Sequence, residues 1–171
     1  MSINNIVADK NKIAIVVVGY NRIDSIKRLL KSLENSKYPY EGIPLIISID
    51  ASNDHDLYEF ARNYKWAYGP LYVNIQEQRL GLRSHIIQCG DLTYFFKGII
   101  LLEDDLFVSE YFYYYVLAAI DYYYNEDRIG GFSLYKSEVS SLANNMPIEF
   151  VNDGTSAFLY QSPATWGGIL D

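Results

Sequence analysis

A chain of 171 residues, half of them apolar and a fifth charged, is globular and long enough for one full core. Its net charge of -7 argues against a nucleic-acid surface, which needs a basic face, but not against an anionic ligand bridged by a metal or local cations. The lone Cys89 excludes an intramolecular disulfide and fits a reducing, cytoplasmic compartment, and His55 and His85 are too few for a histidine metal site or triad.

The first element is a strand over Ile13 to Val18, apolar and β-branched. Lys10 and Lys12 before it give it some likeness to a signal sequence. The run is short, lacks a small-residue cleavage site and passes straight into Asn21-Arg22, so strand is the better reading. Asp24 to Asn35 is a helix, with Ile26, Leu29, Leu30 and Leu33 on one face and Lys27, Arg28, Lys31 and Glu34 on the other. Tyr38-Pro39-Tyr40-Glu41-Gly42 ends it. Leu45 to Ile49 is a second buried strand. Asp54 to Lys65 is a second helix, capped by Asn53 or Asp54. Leu71 to Ile75 is a weaker third strand, and Leu82 to about Phe96 a third helix. Ile99 to Leu102 is the fourth strand, Glu110 to Tyr124 the fourth helix, and Ile129 to Tyr135 a further strand opened by Gly130-Gly131. From Lys136 to Asp153 the pattern dissolves into a long loop of Ser, Asn and Pro, a length often functional.

Repeated β-α-β units of this length predict an α/β fold, a mostly parallel twisted sheet with helices on both faces, in one domain spanning 1–171. No stretch has the uninterrupted apolar length of a membrane helix. Many of the 17 tyrosines fall between Tyr111 and Tyr124. That helix is apolar nearly all round and is expected to be largely buried. Tyrosine also suits a partner or a peripheral membrane contact, although the helix has no basic face for anionic lipid.

The segment Gly98-Ile-Ile-Leu-Leu-Glu-Asp-Asp-Leu-Phe-Val-Ser109 carries the strongest chemical signal. Four apolar residues run into Glu103, Asp104 and Asp105. Three adjacent carboxylates repel one another and are costly to desolvate together, a cost relieved by a hard divalent cation. The alternative is an acidic turn with Asp105 or Ser109 capping the next helix. Two other strands also end in polar loops, Gly19-Tyr20-Asn21-Arg22 and Asp50-Ala51-Ser52-Asn53-Asp54. If these strands are parallel neighbours, the three loops line one crevice at the carboxyl edge of the sheet. There Tyr20 could stack on a base, Asp50 accept a hydrogen bond from a ring N–H, and Arg22 or Arg83 meet phosphate oxygens. Each also has a plainer reading: Asn21 and Asp24 as helix caps, Asp50 as a turn former, Arg22 as a solvated charge. A dinucleotide fold is excluded, since the first loop has only Gly19 and no G-x-G-x-x-G, and no P-loop occurs. Sugar-nucleotide pyrophosphorylases need a glycine-rich first loop, which Gly19-Tyr-Asn-Arg22 is not.

Ile15-Val-Val-Val-Gly-Tyr-Asn-Arg22, Ile47-Ser-Ile-Asp-Ala-Ser52 and Leu101-Leu-Glu-Asp-Asp-Leu-Phe-Val-Ser109 together resemble glycosyltransferases of the GT-A fold. The likeness is greatest to the N-acetylglucosaminyltransferase I type and to bacterial family-2-like relatives. These carry a Glu-Asp-Asp version of the D-x-D motif, then a helix with paired aromatics, as Tyr111-Phe112 are here. The resemblance implies that Asp105 ligates Mn²⁺ or Mg²⁺ bridging the diphosphate, that Asp104 lies near the ribose and Glu103 near the donor sugar. It places Asp50 at the nucleobase and Tyr20, Asn21 and Arg22 in the first nucleotide-contacting loop. Ala164 to Leu170 would line the acceptor side and open a late helix, with Trp166 stacked on a sugar or packed in the core.

The implied reaction is transfer, with inversion, from a nucleoside diphosphate sugar, a UDP-sugar for preference. The hydroxyl acceptor would be a glycan or lipid-linked molecule in polysaccharide biosynthesis. A hard cation neutralises the diphosphate leaving group, and a carboxylate base takes the acceptor proton. By the resemblance that base lies downstream of Trp166-Gly167-Gly168 and beyond Asp171, with Asp153 and Asp171 as weaker candidates. The chain is therefore expected to be the N-terminal portion of a longer enzyme. The alternative is a catalytically inactive sugar-nucleotide-binding or scaffold domain.

Overall fold

The apolar runs assemble side by side. The computed structural model describes residues 6–123, 125–135, 139–140, 146–147 and 168–170. In chain order the elements are β1 (Asp9–Gly19), α1 (Ile23–Glu34), β2 (Leu45–Ile49), α2 (His55–Asn63), β3 (Leu71–Ile75) and α3 (Leu82–Gly90). There follow a 3-10 turn over Asp91–Tyr94, β4 (Phe96–Glu103), α4 (Phe112–Tyr122), β5 (Gly131–Ser133), β6 (Val139–Ser140), β7 (Met146–Pro147) and β8 (Gly168–Leu170). The main sheet has the order β3-β2-β1-β4-β8-β5. Its first four strands are parallel, and β8 runs antiparallel to both β4 and β5. The expected α/β architecture is the one observed.

Register is what positions a site. Gly19 lies opposite Ile49, Val18 opposite Glu103, and Ile49 opposite Ile75. The four parallel strands therefore end level, and the loops that follow them leave the sheet at one edge.

The period of two along each strand divides the core between two faces. Ile13, Ile15, Val17, Leu45, Ile47, Ile49, Ile100 and Leu102 point toward one layer, with Ile26, Leu29, Leu30 and Leu33 of α1, Leu57 of α2, and Tyr113 and Val116 of α4. Ala14, Val16, Val18, Ile46, Ile99 and Leu101 point the other way, toward Cys89, Leu92 and Phe96. Burial on both faces explains why the strands read as continuous apolar runs. Each fully buried Ile or Leu contributes about 1.5–3 kcal/mol.

The aromatic helix divides as well. Tyr113 is fully buried, donates to the Ile13 carbonyl at 2.9 Å and shares a 3.0 Å hydrogen bond with the Tyr40 hydroxyl. Its ring sits at 5.4 Å from Tyr38, which also packs on Trp66 and Phe112. The helix is less buried than expected, because Tyr111, Tyr114, Tyr115 and Tyr122 face outward.

Several boundaries differ from those expected. β1 begins at Asp9, because backbone pairing of Asp9 with Phe96 and the Lys10 ammonium bond to the Thr93 carbonyl extend it through a charged stretch that apolar patterning does not register. The third helix ends at Gly90, where the missing side chain lowers helix propensity, and Phe96 already belongs to β4. The strand predicted over Ile129 to Tyr135 shortens to Gly131–Ser133. Within the segment expected to be a loop, β6 pairs with β7. Gly168–Leu170, expected at the opening of a helix, is a strand inserted between β4 and β5. Trp166, Asp153 and Asp171 lie outside the described residues.

Gly69 marks a close approach. A Cβ built there would lie 2.5 Å from the Ile43 amide nitrogen and nearer still to its carbonyl oxygen, and backbone cannot step aside. Gly69→Ala is therefore expected to lower stability by about 1–3 kcal/mol, read as a lower urea midpoint with unchanged slope. Gly130→Ala, with open space around the new methyl, is expected to change it by less than about 0.5 kcal/mol.

Candidate functional site

The first polar loop is built around Arg22, which opens α1 without a side-chain cap of its own. Its guanidinium forks onto Asp104, with Nε donating to Oδ2 at 3.3 Å and Nη2 donating to Oδ1 in a short contact. Nη1 reaches Oδ2 of Asp105 at 3.2 Å. Arg28, six residues on, donates to the Asp105 carbonyl at 3.0 Å and fixes the turn that follows β4. Neither Asp105 nor Ser109 caps α4, whose first residue follows Tyr111 with no side-chain cap, so the capping alternative for the acidic run is not what occurs. Asp24 does not cap α1 either, whereas Asp54 caps α2 by accepting from the Leu57 amide at 3.0 Å.

The three carboxylates have different surroundings. Asp104 is 3% exposed. Burial raises its carboxyl above the ordinary range, Arg22 opposes that rise, and the Asp105 charge adds to it. Glu103 is half-buried and is also raised, by burial first and then by repulsion from Asp105 and Asp104. The Asp105 side chain is 51% exposed and meets solvent. Among the described residues no three Asp, Glu, His or Cys side chains converge into a metal cage. Asp105, with Glu103 beside it, offers hard oxygens that fit a cation sharing its shell with phosphate and water. Asp104, its carboxylate forked by Arg22, does not present a free donor.

The second and third loops form one unit. Asp50 is 4% exposed, and both its oxygens are occupied. Oδ1 accepts from the amides of Ala51 at 2.9 Å and Leu80 at 2.8 Å, and Oδ2 from that of Gly81 at 2.9 Å. Burial raises the Asp50 carboxyl, but the three N–H groups and the nearby His85 outweigh it and hold the group below its ordinary value. Gly81 has φ +77, which lets both successive amides turn toward one carboxylate and then opens α3. A second tie lies deeper. His85, fully buried, meets the Ser48 hydroxyl at 2.8 Å, and Asn74 donates to the same oxygen at 3.4 Å. The Leu80–Gly81 turn and α3 behind it are thus fastened to the end of β2 and the residue after it at two points.

That fastened segment presents Arg79 over the ring of Tyr20, with 4.8 Å from guanidinium carbon to ring centroid. Tyr20, Arg22, Arg79, Asp104 and Asp105 therefore share the carboxyl edge of β1 and β4, with Asp50 beneath the Arg79 segment. Arg83 and Asn21 are exposed at the same edge. No sequence signal placed Arg79 or the Leu80–Gly81 amides at the site, and Arg28 read only as part of the polar face of the first helix. Only the Leu80-Gly81-Leu82 step, a glycine before an apolar helix, hinted at a turn there.

The class of fold is α/β of the GT-A-like kind. Of family models, none matches the chain. Of curated proteins, none matches its sequence. Solved glycosyltransferase structures do match its fold. S. aureus TarS superposes with TM-score 0.53 at 21% identity, covering 66% of this chain and 20% of that one. TarS 1-349 in complex with UDP-GlcNAc gives TM-score 0.51 at 22% identity, covering 66% and 32%. Mannosyltransferase PcManGT from Pyrobaculum calidifontis, in complex with GDP-Man and Mn²⁺, gives TM-score 0.55 at 16% identity, covering 78% and 39%. The chain spans well under half the length of these structures. At such identities the likeness establishes the fold.

The Asp50 tie and the His85 tie both weaken in acid. His85 is held below its ordinary value of 6.5 by burial, although Asp50 opposes this, so the unfolded chain takes up its proton first and stability falls as pH drops below about 6.5. Asp50 is held below its ordinary 3.8, so its contribution is full above that pH and is lost as pH falls through the lower folded value. Amide exchange at Leu80 and Gly81 is expected to stay protected near neutrality and to quicken in these two steps. Asp50→Asn, which turns an amide donor toward the Leu80 or Gly81 N–H, is expected to expose both amides and cost about 1–3 kcal/mol. Unchanged protection in the variant would show that the carboxylate does not hold the segment.

Proposed function

We propose that this chain binds a nucleoside diphosphate sugar and serves a glycosyltransferase that moves the sugar to a hydroxyl of a glycan or lipid-linked acceptor. The observation that carries this reading is the level ending of β1, β2, β3 and β4. It gathers an aromatic ring, two arginines and an acidic pair at one edge of a GT-A-like sheet. The ligands of the matched structures support it: TarS 1-349 is solved with UDP and with UDP-GlcNAc, the mannosyltransferase with GDP-Man and Mn²⁺.

In this reading Tyr20, Asn21, Arg22 and Arg83 contact the nucleotide, Glu103 and Asp104 border the donor side, and Asp105 is the protein ligand of Mn²⁺ or Mg²⁺. Such a cation, when bound, neutralises the charge that develops on the departing diphosphate. Asp50 acts by holding the segment that carries Arg79, and not by offering a free oxygen to a base, since both its oxygens are taken. Arg22 forks onto the buried Asp104 side chain beside the crevice. Trp166 is assigned to the acceptor side by resemblance alone. The finer likeness, to the inverting N-acetylglucosaminyltransferase I type, rests on Glu103-Asp104-Asp105 and the aromatic pair Tyr111-Phe112. The base that takes the acceptor proton is assigned to none of the described residues. Among them no helix is long and apolar enough to cross a membrane.

Isothermal calorimetry with UDP and GDP, in Mn²⁺ and in chelator, tests the assignment. Nucleotide is expected to bind more tightly with Mn²⁺, and Mn²⁺ more tightly with nucleotide, by the same factor. Asp105→Asn is expected to weaken metal-dependent binding at least tenfold, about 1.4 kcal/mol. Ligand-free stability should change by less than about 0.5 kcal/mol, because the Asp105 ion pair is solvent-exposed. Equal nucleotide affinity in Mn²⁺ and chelator would refute the metal role, and no affinity for either nucleotide would refute the function.

A further inference from the structure

Arg22 does not point into an open crevice to await phosphate. All three of its guanidinium nitrogens donate to the acidic pair, two to Asp104 and one to Asp105. The geometry points to Arg22 as a positioning residue that occupies the cation's place in the ligand-free protein and makes cation binding conditional on the nucleotide. This rests on the nucleotide-binding reading above.

The ion pairing carries the argument. Arg22 Nη1 already holds an oxygen of Asp105, the exposed carboxylate of the acidic run. A divalent cation alone would have to displace that bond and sit a few ångströms from a fixed guanidinium. A nucleoside diphosphate changes the balance. Its oxygens add negative charge and compete for the Arg22 donors. The competition is unequal between the two carboxylates. Asp104 is buried and held by a two-point fork, whereas Asp105 is half-exposed and held by one 3.2 Å bond. The Arg22 side chain is itself 53% exposed and reachable from solvent. Diphosphate would therefore draw Nη1 from Asp105 first, leaving Nε and Nη2 on Asp104. Asp105, still aimed by the Arg28 bond to its carbonyl, is freed at the moment the diphosphate oxygens arrive to complete a metal shell.

Mn²⁺ titration followed by electron paramagnetic resonance, without nucleotide, tests this on the 171-residue chain. The wild type is expected to bind Mn²⁺ weakly. Arg22→Gln, which removes the charge, is expected to bind Mn²⁺ alone roughly tenfold more tightly and to gain less from added UDP. Arg22→Lys keeps the charge and is expected to stay near the wild type. Arg22→Gln binding Mn²⁺ alone no better than the wild type overturns the proposal. Because that comparison uses metal only, it stands apart from the nucleotide reading, which fails separately if the wild type does not bind UDP with Mn²⁺. If Arg22→Gln does not fold, the wild-type Arg22 Nη1–H resonance decides, with diamagnetic Mg²⁺ in place of Mn²⁺. It should be shifted by UDP with Mg²⁺ and left in place by Mg²⁺ alone, and a shift with Mg²⁺ alone overturns the proposal.

Discussion

The parallel pairing of β1 with β2 on one side and β4 on the other is the constraint on which the rest of the structure depends. Side chains alternate along a strand, so a slip of one residue in either pairing would turn a buried row of Ile, Val and Leu toward the wrong layer. Both faces of these strands are covered, which makes such a slip costly and the register firm. The firm register sets Gly19 opposite Ile49 and Val18 opposite Glu103. Residues separated by some eighty positions in the chain, Arg22 and Asp104, then meet within hydrogen-bond reach. Gly19 belongs to this arrangement, since a side chain there would collide with Ile26 of α1.

The edge so formed carries opposed charges that depend on one another. A buried aspartate without a partner would protonate or destabilise the fold. Asp104 instead has a forked guanidinium, and Asp50 has three backbone amides. The two solutions differ in what they leave available. Amides that belong to a fastened segment cannot leave, so the Asp50 arrangement is rigid and presents Arg79 against Tyr20. A guanidinium on a long, half-exposed side chain can exchange partners, so the Arg22 arrangement is adaptable. A rigid floor with one movable charge above it suits a ligand that is itself multiply charged.

Much of this was legible from the chain. The apolar runs at Ile15, Leu45, Leu71 and Ile99 mark the four parallel strands, because burial on both faces leaves an unbroken signal. The polar residues after three of them mark the edge, because only a strand end brings such residues to a crevice. What escaped is tertiary. Lys10 and Lys12 hid the start of β1, since backbone pairing there is indifferent to side-chain polarity. Asp50 reads equally as a free acceptor or a loop anchor until the Leu80 and Gly81 amides are seen beside it. Arg79 has no local signal at all, because its place over Tyr20 depends on how two loops meet. Gly168–Leu170 offers too few residues for a period of two to separate strand from helix opening.

The central claim is that the ends of β1, β2, β3 and β4 form one nucleotide site. Amide chemical-shift mapping with UDP and diamagnetic Mg²⁺ tests it most directly, because it needs no acceptor and no turnover. The account predicts that the perturbed amides cluster at Tyr20, Arg22, the Arg79–Gly81 segment and Asp105, while those of α4 and the amino ends of the strands stay in place. Perturbations centred on the outward tyrosines of α4 or on the opposite edge of the sheet, with the Tyr20 and Asp105 amides unmoved, would contradict it.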